Sequence, residues 1–292
     1  VYEFGSDWWY KLKLGLARKL VFKKWQEALG GNILVIISGG AALNPRLARI
    51  FWGADMPVFE GYGLTETSPV ISVNHFGHTK FGTVGPAIAG MEIKIAEDGE
   101  VLARGHAIMK GYYKRDDLTA ETIDAEGWFH TGDIGQLIDG KFLKITDRKK
   151  EIFKTAGGKY VAPQMIENKF KETILVEQVM VFGENRKFPS ALIVPNFTAL
   201  KSWAEKKGIT YTSDKDMIVD PAVLEKFQQI TEDTCKEFGK WEQVKRFALL
   251  PKQWSIDGGE LTPKLSLKRK VVSEKYANVI EKIYLDAESY KR

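Results

Sequence analysis

The chain has 292 residues, enough for one large core or two domains, and its hydrophobic content of 44% and charged content of 28% are typical of globular proteins. The longest apolar run, residues 33–37, is much shorter than the roughly 20 residues of a membrane span. Cys235 is the only cysteine, which excludes a disulfide within the chain and argues against a cysteine-based metal site. We therefore expect a reducing, cytoplasmic location, with peripheral membrane contact as the alternative.

The charge is unevenly distributed. The net charge is +5, but residues 1–146 carry 16 Lys/Arg against 17 Asp/Glu, whereas residues 147–292 carry 27 against 21. A basic second half favours an anionic ligand such as a nucleotide, and no motif typical of nucleic-acid recognition is present. His75 and His78 are three positions apart in a glycine-rich stretch without further ligands, so we interpret them as loop residues.

The first predicted element is a helix over residues 8–29, where Leu12, Leu16 and Leu20 share one face between lysine-rich flanks. Packing on its own domain is the favoured interpretation, and binding to a membrane surface is the alternative.

Residues 33–37 predict a strand that is covered on both faces, because every side chain is apolar. A loop follows at residues 38–42, and Asn44 and Pro45 then have the residue types of a helix start. A strand, a glycine loop and a helix in this order predict an α/β sheet with a ligand at the carboxyl end of the strand. A second short strand, Val58 and Phe59, leads to another glycine pair.

Residues 80–146 form the next segment, in which glycines separate strand candidates at 91–95 and 142–145. The Asp-Gly pairs at 98–99 and 139–140 predict hairpin turns, so we expect a β-rich subdomain. From about residue 148 the pattern becomes α+β, which predicts a small mobile domain. Its strand and helix candidates are residues 179–182, 191–194, 247–250, 163–171, 198–207 and 222–238.

Residues 61–69 (GYGLTETSP) combine groups that suit a nucleotide. Gly63 lets the backbone approach a ligand closely, and Tyr62 offers a flat face to a purine. Thr65 offers a hydroxyl to a phosphate, and Glu66 offers a hard oxygen ligand to Mg²⁺. A bare Gly-x-Gly is more often an ordinary turn, but the whole string is too specific for that interpretation.

This string resembles the signature of the adenylate-forming superfamily, which includes acyl-CoA synthetases, luciferases and peptide-synthetase adenylation domains. The resemblance implies that Tyr62 stacks on adenine, Thr65 contacts the α-phosphate and Glu66 binds Mg²⁺. The loop containing Gly39, Gly40 and Ala41 is similar to the family's glycine loop, which touches adenine and walls the acyl pocket.

Three later segments extend the resemblance. Residues 127–133 (GWFHTGD) resemble the family's Thr-Gly-Asp motif, in which Asp133 would accept both ribose hydroxyls. In residues 147–154 (DRKKEIFK), Arg148 would also bind the ribose, and Lys150 occupies the position of the family's hinge between two domain orientations.

The resemblance assigns the remaining site residues to the second half. Lys154, Gly157 and Gly158 would line the thioester-forming site. In residues 260–270 (ELTPKLSLKRK), Lys264 matches the lysine that contacts the carboxylate and α-phosphate during adenylation. Lys268 is the alternative, and a basic surface tail is the simplest interpretation of this run taken alone.

The resemblance extends over essentially the whole chain and implies a fold and an activity. The fold would be α/β with a β-rich subdomain at about 80–146. Residues 1–149 would be the last part of a large adenylation domain, and residues 150–292 a small α+β C-terminal domain. The activity would be that of a long-chain fatty acid–CoA ligase using ATP, Mg²⁺ and coenzyme A. Alternatives are an adenylating enzyme with a carrier-protein acceptor, and a non-catalytic nucleotide-binding module.

One departure from the family pattern concerns the Ser/Thr/Gly-rich loop that holds the β- and γ-phosphates, because no such string occurs in the 292 residues. The first residue is also Val1 and not methionine. We therefore expect a fragment that lacks the N-terminal half of its protein and does not adenylate fatty acids alone.

Overall fold

The computed structural model of the chain describes residues 7–289, with the side chains of residues 287–289 excepted. Residues 7–131 and 135–145 form one compact unit, and residues 132–134 and 146–289 form a second. The predicted boundary at residues 149 and 150 lies four residues beyond this division and remains a prediction.

The first unit begins with a continuous helical segment and continues as an α/β arrangement followed by hairpins. Its helices are α1 (Trp8–Ala17), a π-helical turn (Arg18–Phe22), α2 (Lys23–Ala28), α3 (Pro45–Gly53) and α4 (Asp116–Thr122). Its strands are β1 (Ile36–Ser38), β2 (Val58–Tyr62), β3 (Ser72–Val73), β4 (Met91–Ile95) and β5 (Glu100–Gly105). Two further strands, β6 (Phe129–Ile138) and β7 (Phe142–Arg148), run on into the second unit.

The predicted helix at residues 8–29 is confirmed, but the expected packing of its leucine face is wrong. Leu12, Leu16 and Leu20 are all exposed, and none of the side chains of α1 is buried. Polar contacts hold this segment to the unit instead. The Arg18 side chain donates to the carbonyl oxygen of Gly53, and the Gln26 side chain donates to the carbonyl oxygen of Ala54. Within residues 7–289, none of the helices has the length and apolar character needed to cross a bilayer.

The first sheet has the order β1-β2-β3, with β1 parallel to β2 and β3 antiparallel to it. The predicted strand at 33–37 is correct only at its end, because the ladder begins where the Ile36 amide bonds the carbonyl oxygen of Pro57. Its expected coverage on both faces is also wrong, since Leu34 is 84% and Ile37 62% exposed in this chain. The helix start is as predicted, with the Asn44 side chain accepting from the Arg46 amide at 2.8 Å.

The β-rich subdomain is confirmed as a sheet of order β4-β5-β6-β7. Both Asp-Gly hairpin turns lie where expected, between β4 and β5 and between β6 and β7. Asp139 and Gly140 have φ values of 53° and 66°, the left-handed conformation at both central positions that a tight hairpin turn requires.

The second unit is an α+β domain, as predicted. Its strands are β8 (Phe153–Lys154), β9 (Tyr160–Val161), β10 (Val176–Phe182), β11 (Ser190–Pro195) and β12 (Arg246–Leu249). Its helices are α5 (Pro163–Phe170), α6 (Phe197–Lys206), α7 (Asp214–Met217), α8 (Pro221–Cys235), α9 (Arg269–Lys275) and α10 (Ala277–Ser289).

The core of this unit lies on both faces of the sheet β10-β11-β12, whose central strand is buried throughout. Ala191 and Ile193 face a cluster formed with α5, α6 and α8. Leu192 and Val194 face a second cluster formed with α9 and α10. Because side chains alternate along a strand, the apolar residues 191–194 of β11 supply both halves of the core.

Candidate nucleotide and acyl-transfer site

The glycine loop follows the carboxyl end of β1, and the Gly-Tyr-Gly segment begins with the last two residues of the neighbouring parallel strand β2. Ile36 pairs with Val58 and Ser38 with Glu60, so both strands end at the same edge of the sheet. A Cβ placed on Gly39 would lie 3.4 Å from the carbonyl oxygen of Gly61. The fold thus brings these two predicted adenine-contacting segments together, at the edge where α/β sheets bind ligands.

Gly39, Gly40 and Ala41 are exposed, and Gly40 has a φ of 82°. This left-handed backbone favours glycine and turns the chain between β1 and the start of α3. The loop therefore leaves its backbone accessible to a ligand.

Gly63 occupies a position where no other residue fits. A Cβ there would lie 1.9 Å from the carbonyl oxygen of Pro69, because the segment folds back on itself. Thr67 fixes this fold, since its buried hydroxyl accepts from the Leu64 amide at 2.8 Å and donates to the Leu64 carbonyl oxygen at 3.0 Å. Thr65, by contrast, is exposed. The two threonines of the motif therefore differ, one supporting the backbone and one open to a ligand.

The Tyr62 ring is half-buried and packs against a small apolar cluster that includes Ile71, Met91 and Ala103. A ring held by core packing has little rotational freedom to lose when a ligand stacks on it. This setting suits the predicted purine contact.

Glu66 lies in a single 3₁₀ turn (Thr65–Thr67), and a tyrosine far along the chain holds its side chain. The Tyr112 hydroxyl donates to Glu66 Oε1 at 3.0 Å, and the Met109 amide donates to the Glu66 carbonyl oxygen at 2.8 Å. Burial and the neighbouring carboxylate raise the pKa of Tyr112, so it remains a donor. Sequence analysis missed Tyr112, because 46 positions separate the two residues and no local pattern connects them.

The donor set at this position suits Mg²⁺. Glu66 supplies a carboxylate and Thr65 a hydroxyl, and Mg²⁺ in nucleotide sites commonly takes one or two protein oxygens and completes its shell with phosphates and water. The described residues contain no group of three or more His, Cys, Asp or Glu placed to hold a metal. Mg²⁺ bound here would therefore depend on the nucleotide for most of its ligands.

Glu60, directly before the Gly-Tyr-Gly segment, is a buried carboxyl that ties loops to β2. It accepts from the Leu43 amide at 3.1 Å and from the backbone of Gly82. Burial raises its pKa to about 7, although the two backbone bonds act in the opposite direction. Because Leu43 follows the glycine loop, the protonation state of Glu60 affects how firmly that loop is held.

In the second unit, the two predicted ribose ligands lie side by side. Arg148 Nε is 3.5 Å from Asp133 Oδ1, and the Lys149 amide donates to the Gly132 carbonyl oxygen at 2.9 Å. Asp133 is buried, whereas the Arg148 side chain is 58% exposed. The guanidinium therefore balances a buried carboxylate and still faces solvent.

The predicted hinge, Lys150, is exposed in the turn after β7. The amides of Glu151 and Ile152 both donate to the Arg148 carbonyl oxygen. On the β7 side, buried Asp147 accepts from the Arg148 amide at 2.7 Å and from the Gln164 amide at 2.8 Å. Burial raises the pKa of Asp147 to about 6.

Lys154 and the Gly-Gly pair form one hairpin. Lys154 pairs with Tyr160 across β8 and β9, with its Nζ 5.6 Å from the Tyr160 ring centre. Gly157 and Gly158 make the turn, in which Gly158 has a φ of 76°. All of these residues are exposed, so the hairpin presents a cation and a bare backbone to solvent.

The two candidate adenylation lysines occupy different positions in one loop, residues 260–268. The Thr262 amide donates to the Ser266 carbonyl oxygen at 2.8 Å, which places Lys264 at the exposed tip of the loop. Lys268 lies at the base, where its amide donates to the Glu260 carbonyl oxygen at 2.8 Å just before α9. The tip position makes Lys264 the better placed to reach a ligand.

The predicted site residues thus fall into two sets, each coherent within its own unit. The first unit holds Gly39, Gly40, Ala41, Tyr62, Gly63, Thr65 and Glu66. The second holds Asp133, Arg148, Lys150, Lys154, Gly157, Gly158 and Lys264.

Two families of known proteins match different parts of the chain. Residues 9–113 match the AMP-binding enzyme family, and residues 150–288 match the C-terminal domain of AMP-binding enzymes. The solved structures show the fold: the adenylation domain of a carboxylate reductase from Mycobacterium chelonae has a TM-score of 0.71 at 24% identity. That alignment covers 93% of this chain and 42% of the other.

Curated relatives are considerably more similar in sequence. The long-chain-fatty-acid–CoA ligase FadD15 of Mycobacterium bovis is 40% identical over 267 residues, which are 91% of this chain and 44% of that protein. The peroxisomal long chain acyl-CoA synthetase 7 of Arabidopsis thaliana is 36% identical over 290 residues, 92% of this chain and 41% of that protein. The chain thus spans less than half the length of these relatives.

The two family matches together take in most of the chain, and their order along it is that of the two units. The chain therefore belongs to the AMP-binding enzyme family, the adenylate-forming enzymes that include the acyl-CoA synthetases.

Proposed function

We propose that this chain is the C-terminal part of a long-chain fatty acid–CoA ligase, which converts ATP, a fatty acid and coenzyme A to acyl-CoA, AMP and diphosphate. The observation that carries the proposal is the neighbouring position of the glycine loop and the Gly61–Glu66 segment at the ends of β1 and β2. Relatives that are named long-chain-fatty-acid–CoA ligases, at 36 to 40% identity, support the choice of substrate.

In the first half-reaction, a carboxylate oxygen of the fatty acid attacks the α-phosphorus of ATP and diphosphate leaves. Tyr62 orients the adenine, while Asp133 and Arg148 bind the ribose hydroxyls. Negative charge grows on the α-phosphate in the transition state, where the Thr65 hydroxyl and the Lys264 ammonium offset it. Mg²⁺ bound to Glu66 would supply further positive charge.

In the second half-reaction, the thiolate of coenzyme A attacks the acyl carbon, and AMP leaves with its electron pair. Lys264 has no role in this step, while Lys154 and the Gly157–Gly158 turn line the thiol's approach. We infer that rotation at Lys150 exchanges Lys264 for Lys154 and the Gly157–Gly158 turn between the two steps. A few backbone angles in an exposed turn can absorb such a rotation.

The chain by itself is expected to bind ligand without turning it over. Its 292 residues contain no Ser/Thr/Gly-rich phosphate loop, and such a loop is what holds the diphosphate leaving group. Incubation with ATP, Mg²⁺, palmitate and coenzyme A should yield no palmitoyl-CoA, as checked by mass spectrometry. Formation at a rate near that of an intact ligase would contradict this expectation.

The function is tested by measuring, with calorimetry, the affinity of the chain for a palmitoyl-adenylate analogue. In this analogue a non-hydrolysable sulfamate replaces the phosphate. Tyr62→Ala should weaken binding by roughly tenfold, the loss expected for one stacking contact. Asp133→Asn should have a similar effect, because the amide accepts from only one of the two ribose hydroxyls.

Asp139→Asn provides a matched control. Asp139 is exposed at the turn between β6 and β7, pairs with Lys80, and has the left-handed backbone that asparagine tolerates. Its replacement should leave binding unchanged. Equal affinity of the native chain, Tyr62→Ala and Asp133→Asn for the analogue would mean that these residues do not bind a nucleotide, and the proposal would fail.

A further inference from the structure

A partly buried ionic network in the second unit is centred on Arg269, the first residue of α9. Its Nε donates to Glu151 Oε2 at 2.8 Å, and its two terminal nitrogens donate to the carboxylate of Glu167 at 2.9 and 2.7 Å. One of these nitrogens also donates to the Val181 carbonyl oxygen at 3.1 Å. The guanidinium is thus committed to three different segments of the chain.

The network continues from Glu151 towards the end of β7. The Gln164 side chain donates to the same oxygen, Glu151 Oε2, at 2.9 Å, while the Gln164 amide donates to Asp147. Asp147 and Glu151 lie on either side of the exposed Lys150. The Asp147–Gln164 bond crosses the predicted hinge and must open when Lys150 rotates, whereas the bonds of Glu151 to Gln164 and Arg269 join residues that all lie after Lys150 and can persist.

At the other end, the network reaches the loop that carries the candidate adenylation lysines. Arg269 directly follows Lys268, the last residue of that loop. Glu260, at the start of the loop, is buried and paired with Lys275 on the same helix. Helix α9 therefore anchors both ends of the loop, and the link to the hinge flank runs through Arg269.

The electrostatics favour a stable connection. Burial acts to raise the pKa of Glu151, but its bonds to Arg269 and Gln164 outweigh that effect and lower it. Glu167 is fully enclosed, and burial raises its pKa although Arg269 acts against this. Separating Arg269 from the buried Glu167 would leave that carboxylate without compensation, so Arg269 and Glu167 are expected to move together.

We propose that Arg269 is a positioning residue that fastens the lysine loop, residues 260–268, to the segment directly after Lys150, so that rotation at Lys150 carries the loop with it as one body. The proposal rests on the proposed function, in which Lys264 must enter the site for adenylation and leave it for thioester formation. Glu151 moves with the backbone directly after Lys150, and its bond to Arg269 makes the loop move with it.

A salt bridge that only stabilises the core would behave differently. It would lower stability when broken, but a change at Glu151 would have no specific effect on a loop more than a hundred positions away. The decisive measurement is therefore hydrogen exchange, after substitution of Glu151, at the three amides that donate to carbonyl oxygens within the loop, those of Thr262, Leu265 and Lys268.

The expected result for Glu151→Ala is exchange at these three amides that is faster by roughly tenfold, with amides of β11 unchanged. Glu151→Gln keeps an oxygen for the Arg269 bond and should restore most of the protection. Glu281→Ala is the matched control, because it removes an exposed glutamate that pairs with Arg186 in the same unit. Loop exchange in Glu151→Ala that equals the exchange in Glu281→Ala would overturn the proposal.

A second measurement uses binding of the palmitoyl-adenylate analogue in a double-mutant cycle. Glu151→Ala should weaken binding by about threefold in the native background and have no further effect when Lys264 is already alanine, because the two act through one contact. Additive effects would overturn the proposal, since Glu151 would then act independently of the lysine. If neither Lys264→Ala nor Lys268→Ala alters binding, the proposed function fails instead, and the exchange experiment alone decides the role of Arg269.

Discussion

The hydroxyl of Tyr112 lies 3.0 Å from Oε1 of Glu66 and donates a hydrogen bond to it. The carboxylate proposed to bind Mg²⁺ is thus oriented by a residue from another part of the first unit. Phenol-to-carboxylate bonds of this kind restrict side-chain rotation, so a metal ligand held in this way loses less entropy on binding.

Replacing Tyr112 with phenylalanine should weaken the Mg²⁺-dependent part of nucleotide binding. Second-shell partners of metal ligands typically contribute roughly 10- to 100-fold in metal affinity. We expect a loss at the lower end of this range for Mg²⁺ titrated against the chain with AMP, and no change in AMP binding without metal. Tyr113→Phe is the control, because that neighbouring tyrosine is exposed. Equal Mg²⁺ affinity in the two variants would show that the bond to Glu66 has no such role.

Glu60 should make the stability of the first unit depend on pH. Its folded-state pKa of about 7 lies above the ordinary value of 4.5, so the folded state binds the proton more tightly. The stability it contributes is therefore complete below about pH 4.5 and is lost as the pH rises through 7. At about 1.4 kcal/mol per pKa unit, the loss is on the order of 3 kcal/mol.

Glu60→Gln should not show this loss. The difference between its free energy of unfolding and that of the native chain should therefore increase, in favour of the variant, from pH 4.5 to pH 8. Urea denaturation across this range measures the difference. Glu92→Gln is a suitable comparison, since that exposed glutamate is bound by Arg104, which lowers its pKa. Parallel pH profiles of Glu60→Gln and the native chain would disprove the assignment.

Gly63→Ala should disrupt the nucleotide loop. The added Cβ would lie 1.9 Å from a backbone oxygen, which cannot move aside as a flexible side chain could. We expect a destabilisation of about 1–3 kcal/mol from the forced backbone shift, together with loss of nucleotide binding. Thermal unfolding and calorimetry with AMP measure the two effects.

Gly15→Ala is the opposite case and serves as the control. Gly15 lies within α1 and has no atom within 4 Å of the position of a Cβ. Alanine should therefore stabilise the helix by up to about 1 kcal/mol and leave nucleotide binding intact. If Gly63→Ala, like Gly15→Ala, caused no loss of stability or of AMP binding, residues 61–69 would not fold back as closely as described.

Lys264→Ala and Lys268→Ala should separate the two candidate adenylation lysines. Both side chains are exposed, and Lys268 makes no side-chain cap bond at the start of α9, so each change should alter stability by less than about 0.5 kcal/mol. We expect Lys264→Ala to weaken binding of the palmitoyl-adenylate analogue by roughly tenfold, the weight of one charge-assisted bond, and Lys268→Ala to have little effect. The reverse ranking would assign the adenylation role to Lys268.

The sequence by itself determined the elements whose signals are local. Asn44 with Pro45 fixed the start of α3, and the Asp139–Gly140 pair fixed a hairpin turn, because caps and turns depend on bonds between residues a few positions apart. The strand candidate at residues 191–194 likewise lies within β11. The candidate motifs were recognisable for the same reason, since each is a short continuous string.

Only the tertiary structure decided which distant residues support those motifs. Tyr112 is 46 positions from Glu66, and Arg269 is 118 positions from Glu151, so no periodicity or turn pattern relates them. The exposure of Leu34 and Ile37 was equally hidden, because an apolar strand reads the same in sequence whether or not a neighbour covers it. Burial and long-range hydrogen bonds depend on how elements pack, and packing is settled by contacts among all elements at once, which no single segment encodes.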